Sequence, residues 1–274
     1  MLAALFRFIQ VRFVKEEYME ERKTNGIGYI TGRWPLDPAK STIVFIHGAG
    51  GSSAFWSAQV QGLAAQFNTI ALDLPGHGRS NGGGNTKIEE YVRAVADFIK
   101  QVDIPIPVPC GLSMGGAITQ QLLLDFRDQF KAGILISTGA RLKVAPAIFE
   151  AIEKDYTGFV DMVGQFAASK KTDPGLIQPF KDEMAGCKPQ ITRGDFQACN
   201  RFNITDRLSS VDAPVLILSA QDDMLTPPKY ADFLEKTIKT AERTHIMDAG
   251  HVVPIEKPLE VNQAIADFLD RNGL

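Results

Sequence analysis

The feature that most constrains this chain is the stretch GLSMG at 111–115, which sets a serine between two glycines. The apolar segment 117–124 follows it and favours a helix, so Ser113 would lie where a strand passes into that helix. A G-x-S-x-G turn of this kind is strained and pushes the serine hydroxyl out of the sheet, and glycine at each flank avoids a clash with neighbouring elements. The pattern predicts a nucleophile elbow at Ser113, with an ordinary serine turn as the alternative for the motif alone.

Three further segments place glycines, histidines and acids where strands are expected to end. The apolar run 41–46 ends in HGAGG at 47–51, and the run 69–72 ends in DLPGHGRS at 73–80. Near the end of the chain, GHVVPIEKP occupies 250–258. Open α/β sheets bind ligands at the carboxyl ends of their strands. The glycines at 47–51 could instead cradle a phosphate, but neither G-x-G-x-x-G spacing nor a following Gly-Lys-Ser/Thr occurs there.

Together these motifs resemble the α/β-hydrolase superfamily, in its serine esterase, lactonase and peroxidase-like branch, from about residue 28 onward. The resemblance implies the α/β-hydrolase fold: a mostly parallel eight-stranded sheet with helices on both faces and a helical cap insertion. The alternation of strands and helices breaks over 141–207, where Phe159 to Phe166 shows helical spacing. We therefore expect a core domain formed by 1–140 and 208–274, with 141–207 inserted as a cap over the serine.

The resemblance also assigns a catalytic triad. Ser113, Asp223 and His251 stand in the chain order in which α/β-hydrolases carry the nucleophile, the acid and the base. Asp223 precedes Pro227 by four residues, as the family's acid does, and the adjacent Asp222 is the alternative.

Two backbone N–H groups would form the oxyanion hole. Met114 supplies one at the start of the helix, and Ala49 supplies the other because the residue after His-Gly is the usual donor in the family. His77 could be a base in place of His251, but the family's catalytic histidine matches His251 better, and we interpret His77 as structural. A serine nucleophile argues against relatives that open epoxides or displace halide with aspartate. The resemblance implies no cofactor, and the sequence shows no metal-binding cluster.

The substrate-binding residues cannot be placed from the sequence, because each large apolar residue of the cap could equally pack against the core. The candidates are Phe149, Phe159, Phe166, Met184, Phe196 and Phe202. Arg193 and Arg201 could hold a substrate carboxylate, although arginines are more often solvated.

Local patterns predict several elements. Asn-Gly at 25–26 favours a tight hairpin turn within 13–34. Helical patterns cover 88–102 and 258–271, the latter with an apolar face that includes Leu259. The strand at 104–110 has prolines at alternate positions, so we expect a short strand whose pairing is weakened on one side.

Composition limits the class of partner. The chain has 274 residues, 45% of them apolar, which is enough for one large domain with a sizeable core. Its net charge is −3 and it has no dense basic stripe, so nothing points to nucleic acid or to an anionic membrane. We expect a small-molecule ester as the partner; the oligomeric state is not predicted.

The cysteines predict a reducing compartment. Cys110, Cys187 and Cys199 cannot all pair, and a chain of this size needs no disulfides, so we expect a cytoplasmic protein. The apolar segment 1–11 is interrupted by arginine and too short to span a bilayer, so we interpret it as neither signal nor anchor, and Met19 is an alternative start.

Our leading hypothesis is a carboxylic-ester hydrolase that acts on small to medium acyl groups through an acyl-enzyme. A lactonase, a thioesterase, a cofactor-free peroxidase and a carbon–carbon bond hydrolase share the same triad, and fold analogy does not choose among them. A ligand receptor that keeps the hydrolase fold and turns over slowly is the alternative from another class.

Overall fold

The computed structural model describes residues 19–274, so the expectations for residues 1–18 lie outside it. The strands are β1 (Glu20–Thr24), β2 (Ile27–Thr31), β3 (Thr42–Ile46), β4 (Asn68–Leu72), β5 (Pro107–Leu112), β6 (Gly133–Ile136), β7 (Val215–Ala220) and β8 (Ala241–Ile246). The α-helices are α1 (Ser57–Leu63), α2 (Ile88–Val102), α3 (Met114–Asp125), α4 (Pro146–Lys154), α5 (Tyr156–Ala167), α6 (Pro174–Gly186), α7 (Pro189–Arg201), α8 (Lys229–Thr237), α9 (Val253–Glu256) and α10 (Pro258–Arg271).

All eight strands form one sheet in the order β1-β2-β4-β3-β5-β6-β7-β8. The strands from β4 across to β8 pair in parallel, whereas β1 and β2 form an antiparallel edge. The predicted α/β-hydrolase fold with a mostly parallel sheet is confirmed. Parallel neighbours in sequence need crossover helices, and these helices cover the two faces of the sheet.

The predicted hairpin is confirmed for its described part. β1 and β2 are joined by Asn25 and Gly26, whose φ angles are 48° and 88°. Positive φ at both central residues is the geometry that Asn-Gly turns adopt and that matches the twist of the flanking strands.

Strand β3 shows how the core is divided. Val44 and Ile46 pack into the apolar cluster that also holds side chains of α2, α3 and α8. Ile43 and Phe45 point to the opposite cluster, with side chains of α1 and α10. Because side chains alternate along a strand, burial on both faces explains why this segment is apolar without a break.

Two details of the sequence prediction were wrong. Leu259 is 81% exposed, because it lies on the side of α10 opposite Val261 and Phe268, which are both buried. Strand β5 begins at Pro107 and not at residue 104, since Ile106 has a φ of 41° and breaks the extended conformation. β5 pairs with β3 at five positions and with β6 at three, in agreement with the one-sided weakening expected from its prolines.

The segment from α4 to α7 lies between β6 and β7 and is called the α4–α7 segment below. Its two ends meet in an antiparallel bridge between Arg141 and Asn203, next to a hydrogen bond of 2.9 Å from Ile204 N–H to the Ala140 carbonyl. We propose that this segment is the cap and that the rest of the described chain is the core domain, because the segment leaves and rejoins the core at one place.

Within residues 19–274, none of the helices combines the length and the apolarity needed to cross a bilayer. Cys110, Cys187 and Cys199 are all free. The cytoplasmic location stays a prediction.

Gly115→Ala is expected to destabilise the fold by about 3 kcal/mol. The added methyl group would clash with a backbone atom, which cannot move aside as a flexible side chain could. A β-carbon at this position would lie 2.1 Å from the Ile46 carbonyl oxygen. Urea unfolding of both proteins measures the difference. Gly186→Ala is the control, since nothing lies within 4 Å of a β-carbon there, and it should be neutral or slightly stabilising. Equal stability of the two variants would contradict the steric argument.

Candidate active site

Ser113 stands between β5 and α3 in a strained conformation, with φ 54° and ψ −112°. Its backbone is held from both sides: the N–H donates to the Ile136 carbonyl at 3.0 Å, and the Thr138 hydroxyl donates to the Ser113 carbonyl at 2.7 Å. A non-glycine residue at positive φ persists only where its surroundings impose it, and such residues cluster at functional sites.

The glycines around Ser113 are required by close contacts. A β-carbon at Gly111 would lie 2.0 Å from the carbonyl oxygen of Gly115, and one at Gly116 would lie 2.5 Å from Thr138 Cγ2. Helix α3 can therefore follow β5 with Ser113 as the single residue between them, so the first N–H groups of the helix lie beside the serine.

His251 and Asp223 form a buried pair. His251 Nδ1 lies 3.0 Å from Asp223 Oδ2 and 3.1 Å from Oδ1. Since a carboxylate only accepts, Nδ1 carries the proton and donates it, which leaves Nε2 of the neutral ring as an acceptor. Burial alone would raise the pKa of Asp223, but His251 and the hydrogen bonds from Thr226 outweigh burial and lower it.

The neighbouring acid points elsewhere. Asp222 accepts a hydrogen bond of 2.6 Å from the Ser169 hydroxyl in the loop after α5. The structure thus brings Asp223, and not Asp222, to His251.

Thr226 and Glu256 are two supports that the sequence analysis missed. The Thr226 hydroxyl donates to Asp223 Oδ2 at 2.8 Å and lies 3.2 Å from His251 Nδ1. Glu256 accepts from the N–H of Gly250 at 2.8 Å and from the N–H of Ser169 at 2.9 Å, which ties the His251 loop to the α4–α7 segment. Glu256 is the acid within the GHVVPIEKP motif, so the sequence did mark it as a candidate. A buried acid next to a loop accepts hydrogen bonds from backbone N–H groups that have no other partner.

The two candidate oxyanion donors belong to two different elements, helix α3 and the loop after β3. Met114 is the first residue of α3, so its backbone N–H has no hydrogen-bond partner within the helix. Ala49 lines the same cavity as Ser113. His47 Nδ1 contacts the Gly48 carbonyl at 2.8 Å, which orients the Gly48–Ala49 peptide and the Ala49 N–H within it.

Ser113 and His251 open into one cavity of about 330 Å³. Most of its wall is apolar, and the α4–α7 segment and the 3-10 helix Ser53–Trp56 contribute these large side chains to it: Phe55, Met162, Phe166, Phe180, Met184 and Phe196. Among the described residues in its lining there is no carboxylate, and Lys143 is the one with a permanent charge.

Of the six apolar candidates from the sequence, Phe166, Met184 and Phe196 line the cavity. The other three do not: Phe159 and Phe202 are buried in the core clusters, and Phe149 lies under the Arg193 guanidinium.

The two arginines proposed to hold a substrate carboxylate have other partners. Arg193 pairs with Glu153 at 2.6 Å, and Arg201 donates to the Thr86 carbonyl at 3.2 Å. Neither arginine lines the cavity.

A sequence model described as the alpha/beta hydrolase family matches residues 43–264. The chain belongs to this family. Its relatives include esterases, enol-lactonases and a putative non-heme bromoperoxidase. The structure of a thermophilic esterase superposes with a TM-score of 0.80 at 27% identity, covering 93% of this chain and 98% of the other.

Two curated relatives show the range of that branch. This hydrolase is 22% identical to 3-oxoadipate enol-lactonase 2 of Acinetobacter baylyi, over 85% of the chain and 90% of the relative. It is 26% identical to the pimeloyl-[acyl-carrier protein] methyl ester esterase of Neisseria meningitidis, over 80% of the chain and 90% of the relative.

Two further histidines of this hydrolase, His47 in the cavity wall and His77 outside it, have ring centroids 4.8 Å apart. His47 Nε2 accepts the Leu74 N–H at 3.1 Å, so Nδ1 holds the proton of a neutral ring. Burial, and after it the positive charge of His77, lowers the pKa of His47 to about 3.

His77 is an imidazolium, because both of its nitrogens face acceptors. Nε2 lies 2.8 Å from Asp195 Oδ2 and Nδ1 lies 3.2 Å from the Pro75 carbonyl. Burial by itself lowers the pKa of His77, but the charge of the Asp195 carboxylate and the hydrogen bond to it outweigh burial and raise the pKa to about 10. Cys187 also lies beside the ring. The structural interpretation of His77 agrees with this position, which lies outside the cavity wall.

The stability that His77 confers is expected to depend on pH. Its pKa of about 10 in the folded state lies above its ordinary value of 6.5, so the stabilisation is complete below pH 6.5 and is lost as the pH rises toward 10. The excess unfolding free energy of the wild type over His77→Gln should therefore shrink by up to about 1.4 kcal/mol per pH unit over this range. Urea unfolding at several pH values measures it.

The exposed His245 supplies the control: His245→Gln, measured at the same pH values, shows what replacing a histidine by glutamine does elsewhere in the protein. A difference between wild type and His77→Gln that stays constant from pH 6.5 to 10 would mean that His77 is neutral in the folded protein.

Proposed function

We propose that this protein is a serine hydrolase that cleaves carboxylic esters with small to medium, apolar acyl groups through an acyl-enzyme. Ser113 is the nucleophile, His251 the general base and acid, and Asp223 holds the histidine. The observation that carries the proposal is the buried Asp223–His251 pair at 3.0 Å, whose histidine lines the same cavity as a serine at positive φ.

The arrangement supplies what ester hydrolysis needs. A serine hydroxyl is a weak nucleophile at neutral pH unless a base takes its proton as it attacks. In the proposed reaction His251 Nε2 takes that proton and returns it to the alcohol that leaves, while Asp223 stabilises the imidazolium. Water then attacks the acyl-enzyme with His251 as the base, which releases the acid and restores Ser113.

The charge that develops on the ester oxygen is assigned to the N–H groups of Ala49 and Met114. Preorganised donors of this kind are each worth about 3 kcal/mol in the transition state. The absence of carboxylates from the described part of the cavity wall supports this role, because a negative side chain there would oppose the oxyanion.

The cavity favours apolar acyl groups of limited size. Its volume of about 330 Å³ lies near the lower end of the range for small-molecule sites, which is roughly 300–1,000 Å³. The phenylalanine and methionine side chains that line it bind alkyl and aryl groups, and among the described lining residues Lys143 alone could pair with an anionic acyl chain.

A lactone is the second candidate substrate class. The relationship to an enol-lactonase supports it, and so does Lys143, the charged side chain of the cavity wall, which could pair with a carboxylate carried by the lactone. The same triad would open a lactone, and because the ester is cyclic, the alcohol and the acid are then parts of one hydroxy-acid product.

The first test is initial-rate hydrolysis of p-nitrophenyl esters of increasing acyl length by the wild type, with Ser113→Ala beside it. We expect serine-dependent turnover with an optimum at medium chain length and a loss of roughly 10⁴-fold or more in Ser113→Ala, because the hydroxyl forms the covalent bond. A panel of lactones with and without a carboxylate tests the second candidate, and Lys143→Gln should raise KM only for the charged ones. Negligible turnover of both panels would favour a slow ligand receptor.

Asp223→Asn should lower kcat by about 10⁴-fold, because an amide in place of the carboxylate favours the wrong tautomer of His251. Asp222→Asn is the matched control, and its kcat should stay within about threefold of the wild type, since Asp222 faces Ser169. Steady-state kinetics on the best ester compares them. The reverse order of damage would assign the acid to Asp222.

A further inference from the structure

Asp195 links the α4–α7 segment to three parts of the core through one side chain without solvent exposure. Its Oδ2 accepts the Gly50 N–H at 2.8 Å and lies 2.8 Å from His77 Nε2. Its Oδ1 accepts the Tyr91 hydroxyl at 2.5 Å. Helix α7 thereby reaches the loop after β3, the loop after β4 and helix α2.

The charge of this carboxylate is balanced within the group. A buried carboxylate is tolerated only when it is paired and hydrogen-bonded, and the His77 imidazolium supplies the opposite charge. Burial, and after it the Asp195 carboxylate, raises the pKa of Tyr91, so its hydroxyl stays a donor. With these two partners in place, the carboxylate has one orientation, in which Oδ2 faces the Gly50 N–H.

The Gly50 N–H belongs to the peptide unit that starts at the Ala49 carbonyl. Because a peptide unit is planar, an acceptor on this N–H sets the orientation of the whole Ala49–Gly50 unit. The preceding unit is oriented by His47 Nδ1 through the Gly48 carbonyl. Ala49 therefore lies between two held peptide planes, and the chain turns away directly after it, since Gly50 has a φ of 70°.

We propose that Asp195 is a positioning residue for the oxyanion hole: through Gly50 it holds the peptide that follows Ala49 and so keeps the Ala49 N–H directed at the oxyanion formed on Ser113. This inference rests on the proposed function for its catalytic consequence. If Asp195 has this role, the oxyanion hole is complete only when α7 packs on the core and its Asp195 accepts the Gly50 N–H.

The catalytic consequence is confined to the transition state. A substrate carbonyl in the ground state gains little from a donor that is aimed at the tetrahedral oxyanion, so a misdirected Ala49 N–H lowers kcat and leaves KM nearly unchanged. A loss of packing alone would lower the melting temperature but would not lower kcat selectively at constant KM.

The test is Asp195→Asn, which keeps the shape but replaces one acceptor oxygen by a donor. We expect kcat on the best ester to fall by roughly 10- to 100-fold with KM within about threefold, because a complete loss of one oxyanion donor is worth about 10²- to 10³-fold. The affinity for hexyl trifluoromethyl ketone, which adds to the serine and places an oxyanion in the hole, should fall by the same factor as kcat. Backbone hydrogen exchange over residues 47–51 should rise.

Arg201→Gln is the matched control, because it removes another hydrogen bond from α7 to the core that does not approach Gly50. Its kcat, ketone affinity and exchange over 47–51 should equal those of the wild type. If Asp195→Asn does not fold, Tyr91→Phe replaces it, since it removes a single donor to the carboxylate. We then expect a smaller fall in kcat at constant KM and a smaller rise in exchange.

A folded Asp195→Asn protein whose kcat and ketone affinity stay within threefold of the wild type overturns the inference, and so does unchanged exchange over 47–51. If only Tyr91→Phe folds, unchanged kcat and exchange in that variant overturn it equally. Failure of the proposed function is a separate result: the wild type then shows no turnover that depends on Ser113, and the exchange of 47–51 alone decides whether Asp195 holds the loop.

Discussion

The backbone of Gly115 packs so closely on strand β3 that a β-carbon there would come within 2.1 Å of the Ile46 carbonyl oxygen. This contact sets the distance between helix α3 and the sheet, and with it the strained turn at Ser113. It also brings the residue that starts α3 next to the loop that leaves β3, so the two backbone donors assigned to the oxyanion come from elements that touch. The separation between the proposed nucleophile and the proposed donors is therefore a property of helix packing rather than of side chains.

Buried carboxylates hold the loops of the site in a common way. Asp223 accepts the N–H groups of Leu225 and Thr226, Glu256 accepts that of Gly250, and Asp73 accepts that of Ser53. Irregular segments have unpaired donors that cannot be left without partners in a dry interior, and an ionised acid is the strongest acceptor available. These acids lie behind the cavity wall, so their charge supports the loops without facing the substrate.

The parts of this structure that the sequence predicts are those whose signal is local. Helix α2 has the predicted bounds 88–102, because its apolar period and its flanking turn residues lie within one segment. The elbow and the histidine loop were equally visible as motifs. The role of Asp195 was not, since an acid in a helix ordinarily faces water and its partners Tyr91 and His77 lie 104 and 118 positions away. Burial of a polar side chain depends on such distant contacts.

The bridge between Arg141 and Asn203 closes the α4–α7 segment at its base, so the segment can change in evolution independently of the sheet. A stretch of chain that enters and leaves at one point can be lengthened, shortened or replaced while the sheet and its register stay as they are. Relatives can thus acquire different acyl pockets over an unchanged reaction centre. In this chain a replacement segment must satisfy one condition, which is to carry an acid at the position of Asp195. Without that acid, the buried His77 imidazolium has no counter-ion.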